Sequence, residues 1–202
     1  MRGLMAGVLM GLSLMLAGEA VASQAPQALV EETSRLMLAK LKEEATTIKA
    51  NPGRIYDLVN QIVLPHFDFE YMSQMVLAKY WQRATPEQKK AFTQEFRTLL
   101  VRTYATSLNQ YTSQKLTFAP FRPDAQPDLA TVHSEVEQPG APAIPIDYRL
   151  HSEGDHWKVF DVVIDGVSLV TNYRASFARE IRDGGLDSLI KTLSDRNKQA
   201  SK

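Results

Sequence analysis

Apolar residues recur at three- and four-residue steps, or sums of these, through the first half of the 202-residue chain. Val30, Met37, Leu41, Ala45 and Ile48 make the stripe of an amphipathic helix. Asn51 before Pro52 is a cap with a proline at the first helical position, and Ile55, Leu58, Val59 and Ile62 form a second stripe that Pro65 stops. Asp68 is placed to cap a short third helix carrying Met72, Met75 and Val76 inward. Thr85-Pro86-Glu87-Gln88 is a capping box, and it predicts a long helix running to about Tyr111. Phe92, Phe96, Leu99, Leu100, Tyr104 and Leu108 lie on its apolar side; Lys89, Lys90, Glu95, Arg97 and Arg102 lie on its wet side.

After Tyr111 the period falls to two. Pro120, Pro123 and Pro127 mark an irregular connection. Leu116 and Phe118 suggest one strand, and Val132, Ser134 and Val136 alternate with polar residues in another. A Gln138-Pro139-Gly140 turn leads to Ile146, Tyr148 and Leu150; Pro145 lacks a donor, so this strand is expected to begin after it or to lie at an edge. A loop at Ser152 to Asp155 returns the chain through Trp157 to Ile164, which is apolar on both faces and expected to be covered on both. Counting by two puts Trp157, Val159, Asp161 and Val163 on one face, with Phe160, Val162 and Ile164 on the other. Asp165-Gly166 ends the strand. Two helices follow, one lined by Tyr173, Phe177 and Ile181 and one by Leu186, Leu189, Ile190 and Leu193, broken at Asp183-Gly184-Gly185. The prediction is an α+β domain, with helices gathered against one face of an antiparallel sheet of about four strands, a geometry that can leave an apolar cleft.

The first residues change the picture by setting a compartment. Met1-Arg2, the apolar run from Leu4 to Ala17, and Ala20-Val21-Ala22 before Ser23 are the three parts of a secretory signal peptide. Residues 1–22 are expected to be removed near Ala22-Ser23, leaving about 180 residues as one domain over 23–197 with a polar tail at 198–202. Nothing after Ser23 is long and apolar enough to cross a membrane. Lysine plus arginine and aspartate plus glutamate both number 23, so the basic excess of a nucleic-acid binder is missing. The chain has no cysteine, which removes disulfides, thiolate metal sites and a thiol nucleophile.

Candidate chemistry is sparse. Asp161, set between apolar neighbours, is the best general base, and a structural carboxylate is its competing reading. His151 and His156 flank a loop near Asp155 and His133, without metal-motif spacing. Gly166-Val167-Ser168 lacks the closing glycine of a nucleophile elbow. Periodicity alone does not separate a filled apolar core from a hollow one.

Two segments do carry a resemblance. Leu77 to Gln88 (Leu-Ala-Lys-Tyr-Trp-Gln-Arg-Ala-Thr-Pro-Glu-Gln) and Asp161 to Arg174 (Asp-Val-Val-Ile-Asp-Gly-Val-Ser-Leu-Val-Thr-Asn-Tyr-Arg) resemble hallmarks of the MlaC family of periplasmic phospholipid-binding, toluene-tolerance proteins. Phe92 to Tyr104 and Gly185 to Leu189 also look like the family, which usually has glycine near Ala78. The resemblance implies a twisted antiparallel sheet of the NTF2-like kind with surrounding helices. It implies a carrier of diacyl phospholipid, held as cargo with no other cofactor. Its implied partners are an outer-membrane lipoprotein complex and an inner-membrane ABC transporter with its substrate-binding subunit, and its implied role is to maintain outer-membrane lipid asymmetry.

The acyl-chain cleft is expected between the long helix and the sheet, lined by Phe96, Leu100, Tyr104, Ile146, Tyr148, Val163, Val167 and Leu169. No basic cradle for phosphate is evident, which suits an exposed headgroup. A cone-fold enzyme using Asp161 on a small hydrophobic substrate and a periplasmic chaperone for lipidated proteins are the alternatives.

Overall fold

The structure, a computed structural model, describes residues 25–108, 115–138 and 140–199. The expected signal segment and its cleavage point lie outside these residues, as do Tyr111 and Pro139. The helical first half comprises α1 (Pro26–Glu43), α2 (Ala45–Ala50), α3 (Arg54–Leu58), α4 (Phe69–Leu77), α5 (Lys79–Arg83) and α6 (Pro86–Leu108). The single first helix expected through Ile48 is broken at Glu44, whose carboxylate is held by Arg54 at 2.6 Å. A π-helical turn (Val59–Val63) and a 3-10 turn (Leu64–His66) continue α3 to the proline stop.

The caps at Asp68 and Thr85 are formed. Asp68 Oδ1 accepts from the amide of Tyr71 at 2.8 Å, satisfying one free donor at the start of α4. At α6 the Thr85 amide donates to Gln88 Oε1 (3.0 Å) and the Gln88 amide to Thr85 Oγ1 (3.2 Å). Asn51 Oδ1 accepts from the Gly53 amide at 3.2 Å, but α3 begins at Arg54, beyond the proline expected to open it. Between α4 and α5, Ala78 sits at φ 48°, ψ −118°, a backbone conformation that favours glycine.

The sheet has five antiparallel strands in sequence order: β1 (Leu116–Phe118), β2 (Leu129–Gln138), β3 (Ala141–Glu153), β4 (His156–Ile164) and β5 (Val167–Ser168). The fifth strand, beyond the four expected, is a two-residue return made by Asp165 (φ 50°) and Gly166 (φ 78°). Consecutive positive φ values at Asp-Gly suit a tight hairpin turn.

Pro145 corrects a second expectation: it lies inside the central strand β3, opposite Glu135 of β2. Its carbonyl accepts from the Asp165 amide at 3.0 Å. The N and O of one strand residue point to the same side, so the missing donor faces the end of β4, where the ladder is already turning away.

Helix α7 (Leu169–Gln199) is one element interrupted at Gly185, φ 82° and ψ 169°. This is the break expected at Asp183-Gly184-Gly185. Helix α7 runs to Gln199, into the stretch expected as a polar tail from 198, and Asn197 is buried, donating to the Glu95 carbonyl at 3.0 Å; residues 200–202 lie outside the described residues.

Packing divides into two apolar clusters. The larger joins α4, α6 and α7 to the sheet through Met72, Phe92, Phe96, Leu150, Phe177 and Leu193. The smaller gathers Met37, Leu41, Ile48, Ile55, Leu58 and Ala105 from α1, α2, α3 and α6. Space is left between them.

Candidate functional site

That space is a cavity of about 420 Å³, with 28 residues on its walls. Leu29, Val30, Thr33, Ser34, Met37, Leu38 and Leu41 make one wall. Their alternating steps of one and three mark a single continuous face of α1. Leu100, Val101, Tyr104, Ala105 and Leu108 do the same for α6. The sheet contributes Leu116, Val136, Ile144, Ile146, Tyr148, Val159, Val162 and Ile164, and Leu64, Phe67, Phe69 and Leu169 add to the lining. The lining takes residues from both apolar clusters, so the cavity is the gap that two separate cores leave.

Few of the lining side chains are polar: Thr33, Ser34, His66, Tyr104 and Tyr148. The Tyr148 hydroxyl is hydrogen-bonded to Ser34 of α1 and Ser134 of β2, and Ser134 also donates to the Ile146 carbonyl at 2.9 Å. Burial pushes the Tyr148 phenol above its ordinary pKa, against the lowering effect of those two serines. Tyr104 is pushed up to about 12, first by burial and then by the hydrogen-bonded Tyr173. Both phenols therefore stay neutral at physiological pH. Burial and the charge of Lys158 hold His66, also on the wall, below the ordinary histidine pKa, with Glu32 opposing.

Five of the eight residues expected to line a cleft do line this cavity: Leu100, Tyr104, Ile146, Tyr148 and Leu169. Three do not. Phe96 points instead into the α6–α7 contact, where its ring meets Phe92 at 5.6 Å, Tyr173 at 5.3 Å and Phe177 at 5.9 Å. Val167, at the sheet edge on β5, is 54% exposed.

Val163 is turned away by a β-bulge. Arg149 pairs with Asp161 and Leu150 with Val159, so Phe160 is an extra residue on β4. A bulge shifts the alternation by one. Val159 therefore shares the cavity face with Val162 and Ile164, and Val163 goes to the other side.

Asp161 does not line the cavity. It is 2% exposed, and its carboxylate accepts from Ser168 Oγ at 2.6 Å and from the Val170 amide at 3.1 Å, with Arg149 Nη1 at 3.4 Å. It ties β5 and the start of α7 to β4. The histidines are dispersed: His151 Nε2 lies 3.0 Å from Asp68 Oδ2, and His133 Nδ1 lies 2.8 Å from Asp147 Oδ1. Among the described residues no cluster of three metal-ligating side chains exists. No helix among them is long and apolar enough to cross a membrane.

The MlaC family model, described as "MlaC protein", matches residues 31–195. The chain belongs to the MlaC family. The toluene tolerance protein Ttg2D of Pseudomonas putida is 32% identical over 174 residues, covering 86% of this chain and 80% of that one. The intermembrane phospholipid transport system binding protein MlaC of Haemophilus influenzae is 23% identical over 183 residues, covering 89% and 86%. A phospholipid-binding protein of Ralstonia solanacearum, solved in complex with a phospholipid, superposes with a TM-score of 0.81 at 33% identity, covering 89% of this chain and all of that one. The mixed fold of helices and an open antiparallel sheet is that of this solved neighbour.

Within this MlaC fold, α1 is the wall that periodicity does not announce. Its stripe has the pattern of a core face, yet that face borders the cavity. Thr33 and Ser34 within the stripe are the available signal, since a filled core seldom places hydroxyls at successive core positions.

Proposed function

We propose that this chain is a periplasmic carrier that encloses the acyl chains of a diacyl phospholipid in the cavity between α1, α6 and the sheet. The observation that carries this reading is the cavity itself: a deep, apolar hollow with few polar side chains on its walls. Its volume of about 420 Å³ is in the range of ligand sites. Membership of a family whose relatives are named for phospholipid binding and transport supports the same cargo.

A carrier answers a definite energetic problem. Moving a buried methylene into water costs about 0.8 kcal/mol, so two chains of about fifteen methylenes each cost on the order of 20 kcal/mol. Apolar walls stand in for the hydrocarbon that surrounds the acyl chains in a bilayer. The proposed route runs between an outer-membrane lipoprotein complex and an inner-membrane ABC transporter, and serves outer-membrane lipid asymmetry. A non-catalytic role is favoured by the position of Asp161, the best candidate base, which is buried outside the cavity lining with both carboxylate oxygens engaged.

The test is transfer of a fluorescent phospholipid between donor and acceptor vesicles that do not fuse. Catalytic amounts of the mature chain should accelerate transfer, with first-order dependence on protein. Conversion of the lipid to a product, with no net transfer, would replace the carrier by an enzyme.

A further inference from the structure

Among the described residues of the cavity wall, His66 is the one side chain whose charge changes near neutral pH. It ends the 3-10 turn Leu64–His66, and its neighbours Leu64 and Phe67 line the same wall. The segment is pinned to β4 on both sides of the ring. Lys158 Nζ donates to the Pro65 carbonyl at 2.6 Å, the Asp68 amide donates to the Val159 carbonyl at 3.0 Å, and Phe67 forms a parallel bridge with Val159. These ties hold the backbone that presents the imidazole to the cavity.

The surroundings of the ring favour its neutral form. Among the described residues no hydrogen bond or ion pair engages it, whereas His133 meets Asp147 at 2.8 Å and His151 meets Asp68 at 3.0 Å. Two charges act on it from facing elements: Lys158 of β4 opposes protonation, and Glu32 of α1 favours it. Burial is the largest cause, and together with Lys158 it outweighs Glu32, so the ring is held below the ordinary histidine value of 6.5. Hydrocarbon laid against the same ring displaces water that would solvate an imidazolium, which pushes protonation further down.

Proton affinity at this ring thus falls in order from unfolded chain to unloaded fold to loaded fold. Loading is level with pH above the ordinary value of 6.5, where all three are neutral. Below it, loading must expel a proton, and affinity for an apolar occupant falls as acid is added.

We propose that His66 is an acid-release switch built into the cavity wall, whose imidazole admits apolar cargo when neutral and disfavours it when protonated. The identity of that cargo as a phospholipid rests on the carrier reading; the coupling needs only an apolar occupant. In a periplasm, where pH follows the medium, acid would unload the carrier.

The test uses the mature chain stripped of cargo, at about pH 8 and about pH 5.5, on either side of the histidine range. One arm titrates it with 1-N-phenylnaphthylamine, an apolar dye that is uncharged at both values. The other offers dioleoylphosphatidylcholine vesicles, whose headgroup charge is the same at both. Wild type should bind each about tenfold more weakly at the lower pH, within what one titrating group can bring. His66→Gln should lose this pH dependence. Lys158→Gln removes the charge that opposes protonation, so its affinity should begin to fall at a higher pH than the wild type's. His151→Gln should keep the wild-type response. NMR titration of the His66 ring in the wild type needs no variant, and its midpoint should fall when dye or lipid is bound.

An unmoved midpoint, equal wild-type affinities at the two pH values, or a His66→Gln chain as acid-sensitive as the wild type overturns the proposal. Lipid uptake that is equal at both pH values refutes the switch and leaves the carrier standing. An acid-sensitive dye affinity in a chain that takes up no lipid refutes the carrier and leaves the switch standing.

Discussion

Val159 and Val162 face the same cavity although they are three residues apart on one strand, a spacing that would place them on opposite faces of regular β structure. The bulge at Phe160 reconciles them. It also sets the face of every residue between the bulge and Gly166, and so decides which side chains a ligand can touch.

Val162→Glu is therefore expected to abolish lipid retention, because it puts an unpaired carboxylate on the cavity wall. Val163→Thr, one position on, should leave retention within about twofold of wild type. Lipid extracted from purified protein and quantified as phosphorus per chain checks both. Equal losses in the two variants would contradict the bulge-set facing.

Asp161→Ala should destabilise the fold by about 2–3 kcal/mol, since it leaves the buried Val170 amide without its acceptor and removes the 2.6 Å contact to the Ser168 hydroxyl. Urea unfolding followed by circular dichroism measures this. If Asp161 were instead a base, the variant would keep its stability and lose a chemical activity.

Ala78 is the departure from the family's usual glycine, and it lies at a φ of 48° where an L side chain is strained. Ala78→Gly should stabilise the chain by about 1 kcal/mol through relief of that strain, offset in part by unfolded-state entropy. A rise in the urea midpoint without a change in slope is the expected result.

Alkaline stability should depend on Tyr104. Its folded pKa, about 12, lies above the ordinary tyrosine value of 10.0. The neutral phenol is favoured by the fold, so its contribution is complete below pH 10 and is lost as pH rises from about 10 through about 12. Tyr104→Phe should flatten the fall in stability across that window, measured by unfolding at fixed temperature. Tyr148, raised in the same direction by burial, leaves a residual slope.

Periodicity locates α4, α6, both halves of α7, β2 and β3, because each buries one face more than the other, while β4 is legible as a run apolar on both faces. Local chemistry locates their ends: the Asp68 cap, the Thr85–Gln88 box, Asp165-Gly166 and Gly185 all act where their side chains or backbone freedom predict. What stays hidden depends on long-range arrangement. The bulge at Phe160 is a matter of pairing with β3, and nothing in β4 alone announces it. Pro145 inside β3 is tolerated only because β4 ends beside it. The stripes of α1 and α6 look the same whether their apolar faces meet or stand apart, so the hollow between the two clusters has no periodic signature. Family resemblance points to the lipid, and the structure supplies the apolar hollow.

The most direct measurement is the native mass of the wild-type chain purified from a Gram-negative periplasm without detergent, alongside Val162→Glu. A carrier predicts about one diacyl phospholipid per wild-type chain and a folded but empty variant. A wild-type chain that emerges folded and lipid-free, or a variant as fully loaded as the wild type, would contradict it.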